Sequence, residues 1–265
     1  MKDLGRTKFC LGLQIEHLPR GIFVHQSTYT KKVLERFNMS KAHPVKTPMV
    51  VRSLDEDKDP FRPRSDDEKP LGPKVPYLSA IGALMYLANC TRPDIAFAVN
   101  LLARHSAKPT RRHWVGVKTI LRYLNGTQDL GLYFSKNQDL TLVGYAGAGY
   151  LSDPHNARSQ TGFVFLYGGT AIFWTSCKQT LVATSTNHSE IIALYEAARE
   201  CAWLRRMTNH IQKSCGLSTM DTPTIIYEDN AACVAQMQTG YIKNNMTKHI
   251  SPKFSILTNS RSRVR

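Results

Sequence analysis

This sequence predicts an α/β fold of the α+β kind: a helical front half, then a mixed β-sheet with helices. Three observations carry the prediction. Between residues 77 and 124, apolar side chains recur at intervals of three and four, the period of a helix buried along one face. Between residues 140 and 176, three strand-like runs follow one another, and Gly168-Gly169 joins the last two as a tight turn. From Leu140 onward the order is β-β-β-α-β-α, that of a mixed sheet with helices.

The first element is a hairpin. Residues 8–15 (KFCLGLQI) and 21–26 (GIFVHQ) are apolar runs, and His17, Leu18, Pro19 and Arg20 between them are turn-like. Ser27 or Thr28 caps a helix over 29–37, whose apolar face is Tyr29, Val33, Leu34 and Phe37. Pro44 and Pro48 end regular structure. Residues 50–76 hold five prolines and thirteen charges with almost no apolar periodicity, which predicts an extended, mobile linker. Tyr77, Ile81, Leu84, Met85 and Ala88 mark the first long helix. Arg92-Pro93-Asp94 opens a second, with Ile95, Val99, Leu102 and Ala103 inward. Thr110 caps a third, with Trp114, Val117, Leu121 and Leu124 inward and Asn125-Gly126 as its stop.

A short strand over 131–134 precedes the sheet. In LTLVGYAGAGY (140–150), Leu140, Leu142 and Gly144 share one face, and Thr141, Val143 and Tyr145 the other, before the chain runs into small residues. Strands over 161–167 and 170–176 follow. Thr186 or Asn187 caps a helix over 188–211, with Ile191, Ala198, Trp203 and Met207 among its buried candidates. A strand over 224–227 and a helix over 230–238 complete the pattern.

Totals narrow the function. The 265 residues suffice for one large or two ordinary domains, and 42% hydrophobic content supplies a core. No run of 18 apolar residues predicts a membrane span, and MKDLGRTKF has no signal-peptide core. Six cysteines are scattered without a CxxC pair, which predicts reduced thiols and an intracellular protein, with cytoplasm and nucleus both open. The 35 Lys+Arg against 20 Asp+Glu give a net charge of +15. Residues 50–76 contain seven of those acids and six of those bases, leaving 13 acids against 29 bases elsewhere. That excess points to a polyanionic partner, nucleic acid above all. Arg104, Lys108, Arg111, Arg112, Lys118 and Arg122 crowd the second and third helices and together suit a phosphate-facing surface.

Several long stretches now carry a family resemblance. KDLGRTKFCLGLQI, YTKKVLERFNM, YLSAIGALMYLANCTRPDIAFAVNLLARHSAKPTRRHWVGVKTILRYLNGT, SQTGFVFLYGGTAIFWTSCKQTLVATSTNHSEIIALYEAARE, YEDNAACV and TKHI occur in this order. The chain resembles the C-terminal part of a copia-type LTR-retrotransposon Pol polyprotein over nearly all of residues 1–250. The resemblance implies a reverse-transcriptase palm-end hairpin and thumb-like helix over 1–49, the charged linker over 50–76, and a helical connection-like region over 77–135. An incomplete ribonuclease H-like domain over 136–254 and an unrelated basic tail over 255–265 follow. It also implies a Tyr-x-Asp-Asp polymerase turn upstream of KDLG, which the sequence does not contain, so no polymerase centre is expected in this chain.

The resemblance implies a Mg2+-dependent site that hydrolyses RNA in RNA–DNA hybrids, built from four carboxylates. Glu190 in HSEIIALYE matches the helix ligand, and Asp229 in YEDN matches the ligand after the fourth strand. The first-strand position fails: Tyr145-Ala146-Gly147-Ala148-Gly149 is the family's Tyr-x-Asp-x-Asp with glycine for both acids, Gly147 standing for the ligand. Asp153 matches a loop residue, and Glu228 is expected on the opposite face of the strand from Asp229. No acid follows Asp229, so the last-helix ligand fails too. Lys248 joins the nucleic-acid-binding set, and His249 is expected at the surface. Three functions follow: an active ribonuclease H, a module that binds hybrid or single strands without cutting, and a decayed fragment. The glycines and the missing turn favour a decayed fragment with residual nucleic-acid binding, for which other Pol-derived chains are compatible partners.

Overall fold

The computed structural model describes residues 5–52, 55–136, 139–220, 222–239 and 263–264. The chain divides into two compact units, Met1–Asn137 and Gln138–Arg265.

The first unit begins with three antiparallel strands, β1 (Phe9–Cys10), β2 (Leu13–Leu18) and β3 (Gly21–His25), and helix α1 (Ser27–Arg36). Helices α2 (Tyr77–Cys90), α3 (Ala96–Ala103) and α4 (Arg111–Asn125) follow, with a 3-10 turn at Pro93–Ile95 leading into α3. Strand β4 (Gly131–Ser135) closes the unit by pairing antiparallel with β3, Gly21 opposite Ser135 and His25 opposite Gly131. The short strand before the second sheet therefore belongs to the N-terminal hairpin. This pairing is long-range, and Gly131 allows it, because a Cβ there would lie 2.6 Å from the Val24 carbonyl.

Val33 and Leu34 of α1 share one apolar core with Ile81, Leu84 and Leu87 of α2, Leu102 of α3 and Leu121 of α4. Tyr77 anchors the α2–α3 contact, its hydroxyl donating to the Leu102 carbonyl at 2.7 Å. Met85, expected inside, is exposed, and Leu87 is buried in that core. The α4 cap is the Thr110 side chain together with His113, whose Nδ1 accepts the Thr110 N–H at 3.0 Å.

The segment over 50–76 is not the extended linker expected from its composition. Phe61 is buried at 5% exposure, and Asp59 is buried against Arg52, whose Nε donates to Asp59 Oδ1 at 3.1 Å. Phe61 lies against Gly116 of α4, where a Cβ would meet its ring at 2.6 Å. One aromatic with a glycine opposite it, and a carboxylate with its own guanidinium, outweigh the proline and charge content.

The second unit holds β5 (Leu142–Asp153), β6 (Arg158–Tyr167) and β7 (Thr170–Lys178), then α5 (Thr186–Ser214), β8 (Ile225–Tyr227) and α6 (Ala231–Thr239). With β9 (Arg263–Val264), the sheet order is β7-β6-β5-β8-β9. The first three strands are antiparallel; β8 runs parallel to β5 and β9 parallel to β8. Gly168 and Gly169 both adopt positive φ (57° and 76°), as a two-residue hairpin turn with right-handed strand twist requires. The parallel return from β6–β7 to β8 needs a long connection, which α5 supplies. Its buried face of Ile191, Leu194, Ala198 and Cys201 packs with Leu142, Phe165 and Ile226 of the sheet. Trp203 and Met207, expected inside, are exposed. The cap of α5 is Ser185, one residue before the expected Thr186, and its hydroxyl accepts the His188 N–H at 3.2 Å.

Candidate metal centre

Strand lengths create the site. β5 runs to Asp153, whereas its parallel neighbour β8 ends at Tyr227, level with Tyr145. Beyond that point no strand among the described residues pairs with β5 on the β8 side, and the Ala148 N–H donates to the Glu190 carboxylate. Glu190 lies in the second turn of α5, placed by the Ser185 cap. Glu228 and Asp229 come directly after the last residue of β8. One carboxylate oxygen from each of Glu190, Glu228 and Asp229 lies within 4.8 Å of the others.

Glu190 (7% exposed) and Glu228 (9%) are buried, while Asp229 is exposed. Burial holds Glu190 above the usual carboxylate range; the Ala148 N–H opposes that shift and the Asp229 charge adds to it. Burial first, then the Glu190 charge, push Glu228 up to about 8. Glu228 Oε1 accepts the Asn230 N–H at 3.2 Å, but Oε2 of Glu228 and Oε2 of Glu190 are buried with no hydrogen-bond partner among the described residues. Cys233 lies close by, its thiol pushed up to about 12 by burial and then by the charges of Glu228 and Glu190. The three converging donors are all carboxylate oxygens, which suits a hard divalent cation.

The two acids identified from sequence, Glu190 and Asp229, thus meet. Glu228 joins them, contrary to the expectation from strand alternation, because the strand stops at Tyr227 and alternation stops with it. Gly147 lies in β5, two residues past Tyr145, as Asp229 lies two past Tyr227. A Cβ on Gly147 meets nothing within 4 Å, so a side chain there has room. Asp153 instead accepts from Asn156 Nδ2 at 3.2 Å and pairs with Lys178 at 3.6 Å, closing the end of β5.

The basic residues of the first unit divide. Lys108, Arg111 and Lys118 are exposed, Lys118 with its ammonium 5.9 Å from the Trp114 ring centre. Arg104 is half-buried and reaches Asn100 at 3.5 Å. Arg112 is committed internally, to the Glu68 carboxylate and to the carbonyls of Pro60, Arg62 and Pro63. Arg122 donates to the His43 carbonyl at 2.7 Å. Lys248 and His249 lie outside the described residues, as does most of the tail. No helix among the described residues is long and apolar enough to cross a membrane.

No protein-family model matches the chain. Among curated proteins it is similar to the retrovirus-related Pol polyprotein from transposon TNT 1-94 of Nicotiana tabacum, at 40% identity over 260 residues, covering 96% of this chain and 18% of that protein. The Pol polyprotein from transposon RE2 of Arabidopsis thaliana is 31% identical over 263 residues, covering 98% of this chain and 17% of that protein. Among solved structures, LC11-RNase H1 in complex with an RNA/DNA hybrid is 17% identical with a TM-score of 0.34, covering 47% of this chain and 81% of that one. The chain spans less than a fifth of the length of those two polyproteins, and it belongs to the copia-type retrotransposon Pol polyprotein family.

Proposed function

We propose that this Pol segment is a ribonuclease H-like module that binds nucleic acid, RNA–DNA hybrid first, and whose hydrolytic turnover is largely lost. The observation that carries the loss is Gly147. It stands where the resemblance expects the first-strand carboxylate, and no carboxylate, His or Cys of β5 joins the Glu190–Asp229 group among the described residues. Each lost ligand removes charge that holds metal and stabilises the transition state, and every ~1.4 kcal/mol forfeited is a factor of ten in rate.

Mg2+ is the ion this donor set fits: oxygens only, two of them buried and unpartnered. Bound there, it would supply the Lewis acidity that phosphodiester hydrolysis draws on. The chain's own part is to hold Glu190 in place through Ala148 N–H and to present Asp229 at the open side. The +15 charge and the exposed Lys108, Arg111 and Lys118 support electrostatic binding of a phosphate backbone.

The test is a filter-binding titration of labelled hybrid over a salt series, with Mg2+-dependent cleavage followed in parallel. Binding that weakens steeply with salt, without cleavage, is the expected result. No affinity at low salt overturns the binding reading. Cleavage abolished by Glu190→Ala overturns the loss of catalysis and favours an active ribonuclease, the second reading, to which the Glu228 carboxylate lends support.

A further inference from the structure

We propose that Glu228 is the third carboxylate of a single divalent-cation site with Glu190 and Asp229, standing in for the carboxylate that Gly147 lacks. The inference rests on the ribonuclease H-like reading only for what is missing at Gly147; the cation site itself rests on geometry.

That geometry has three parts. The three carboxylates converge, with one oxygen from each within 4.8 Å of the others. Two metal–oxygen bonds of about 2.0–2.6 Å span about 4–5 Å, so one ion reaches all three, whereas a pair of ions about 4 Å apart needs more donors than these. Two buried oxygens, Glu190 Oε2 and Glu228 Oε2, have no hydrogen-bond partner, and no ion pair among the described residues involves Glu190, Glu228 or Asp229. A buried carboxylate whose other groups are satisfied normally finds a partner. Two such oxygens in one group of converging carboxylates fit a cation as the shared partner. Finally, Glu228 is held from behind: its Oε1 accepts the Asn230 N–H, and Asn230 Oδ1 in turn accepts the Cys233 N–H at 2.9 Å, the first turn of α6. That arrangement fixes one oxygen and leaves the other for a ligand, the division of labour seen when outer hydrogen bonds orient a metal-binding carboxylate.

Gly147 completes the case by its openness. No neighbour lies within 4 Å of a Cβ there, so an aspartate at 147 has room without displacing any neighbouring side chain.

The experiment titrates Mn2+ into the full chain and reads free Mn2+ by electron paramagnetic resonance. One saturable site is expected. Glu228→Gln and Glu190→Gln should each weaken it by more than about 100-fold, beyond the roughly 10–100-fold that merely supporting residues contribute. Glu35→Gln, on an exposed part of α1, should leave it unchanged. Gly147→Asp placed in the Glu228→Gln background should restore most of the lost affinity, which also shows that the doubly changed chain folds. A site that survives Glu228→Gln but not Glu190→Gln overturns the role of Glu228, and so does failure of Gly147→Asp to rescue. The absence of any saturable site overturns the inference whether or not hybrid is bound. A Mn2+ site with no hybrid affinity at low salt leaves the inference standing and sinks the proposed function instead.

Discussion

The first unit and the Glu190–Glu228 cluster of the second treat buried charge in opposite ways. In the first, Arg92 is buried with its guanidinium on Asp94 (2.7 Å) and on Thr127 through both carbonyl and hydroxyl. Asp59 has Arg52, Arg112 has Glu68, and His113 is held at both ring nitrogens, by the Thr110 N–H and the Arg62 carbonyl. In the second unit, Glu190 and Glu228 are buried side by side with an oxygen each left over. Paired burial is what a scaffold does with charge. Burial of neighbouring carboxyls with an oxygen each left over is what a ligand site does, at the expense of stability.

Breaking the paired side should give the largest effect. Arg92→Ala takes the guanidinium from Asp94, leaving it the Tyr123 hydroxyl, and from the Thr127 carbonyl, leaving it the Leu130 N–H, and should destabilise the first unit by about 3 kcal/mol in urea denaturation. Phe61→Ala should cost about 3 kcal/mol in the same assay by emptying the space over Gly116. A cost near zero would mean that the segment over 50–76 is undocked in solution. The unpaired side should answer with the other sign. In metal-free buffer, Glu190→Gln should stabilise the second unit by about 1 kcal/mol, since a neutral amide replaces a carboxylate that is buried beside the Asp229 charge. Destabilisation instead would mean that the cluster already has a partner.

The smallest and most diagnostic difference is in pH. Burial lowers the His113 pKa, so its protonation is favoured in the unfolded chain. The first unit should therefore be at full strength above about pH 6.5 and weaken as pH falls below it. Glu228 is shifted the other way, from 4.5 up to about 8, so its carboxyl binds its proton more tightly in the folded state. Without divalent cation, the second unit should be strongest below about pH 4.5 as far as this group is concerned, and lose that contribution as pH rises toward about 8. Melting curves of the two transitions across pH 5–8 separate these slopes, and His113→Gln should flatten the first.

What could be read from sequence follows from which interactions are local. Alternation in residues 142–145, the Gly168-Gly169 turn and the apolar face of α5 around Ile191 and Ala198 are local patterns, and those elements form where the patterns occur. The pairing of β3 with β4 joins residues more than a hundred positions apart, and no local signal announces it. Phe61 is one aromatic among prolines and charges, so composition hides the residue that docks the segment. At the site, the family resemblance marks the positions of Glu190 and Asp229, and the structure brings those two side chains together. Glu228 was misplaced because alternation was carried one residue too far, past a strand that ends at Tyr227. The length of that strand is set by tertiary packing, which period-two counting does not contain.

That early end of β8 has a consequence for how the site tolerates substitution. The recess beside β5 is made by a difference in strand length and lined by a main-chain amide, that of Ala148. The side chains of β5 can vary, down to the glycines at 147 and 149, without erasing the recess, because peptide groups are common to every amino acid. A place defined by strand length and a main-chain amide is therefore less sensitive to substitution than one defined by side chains alone.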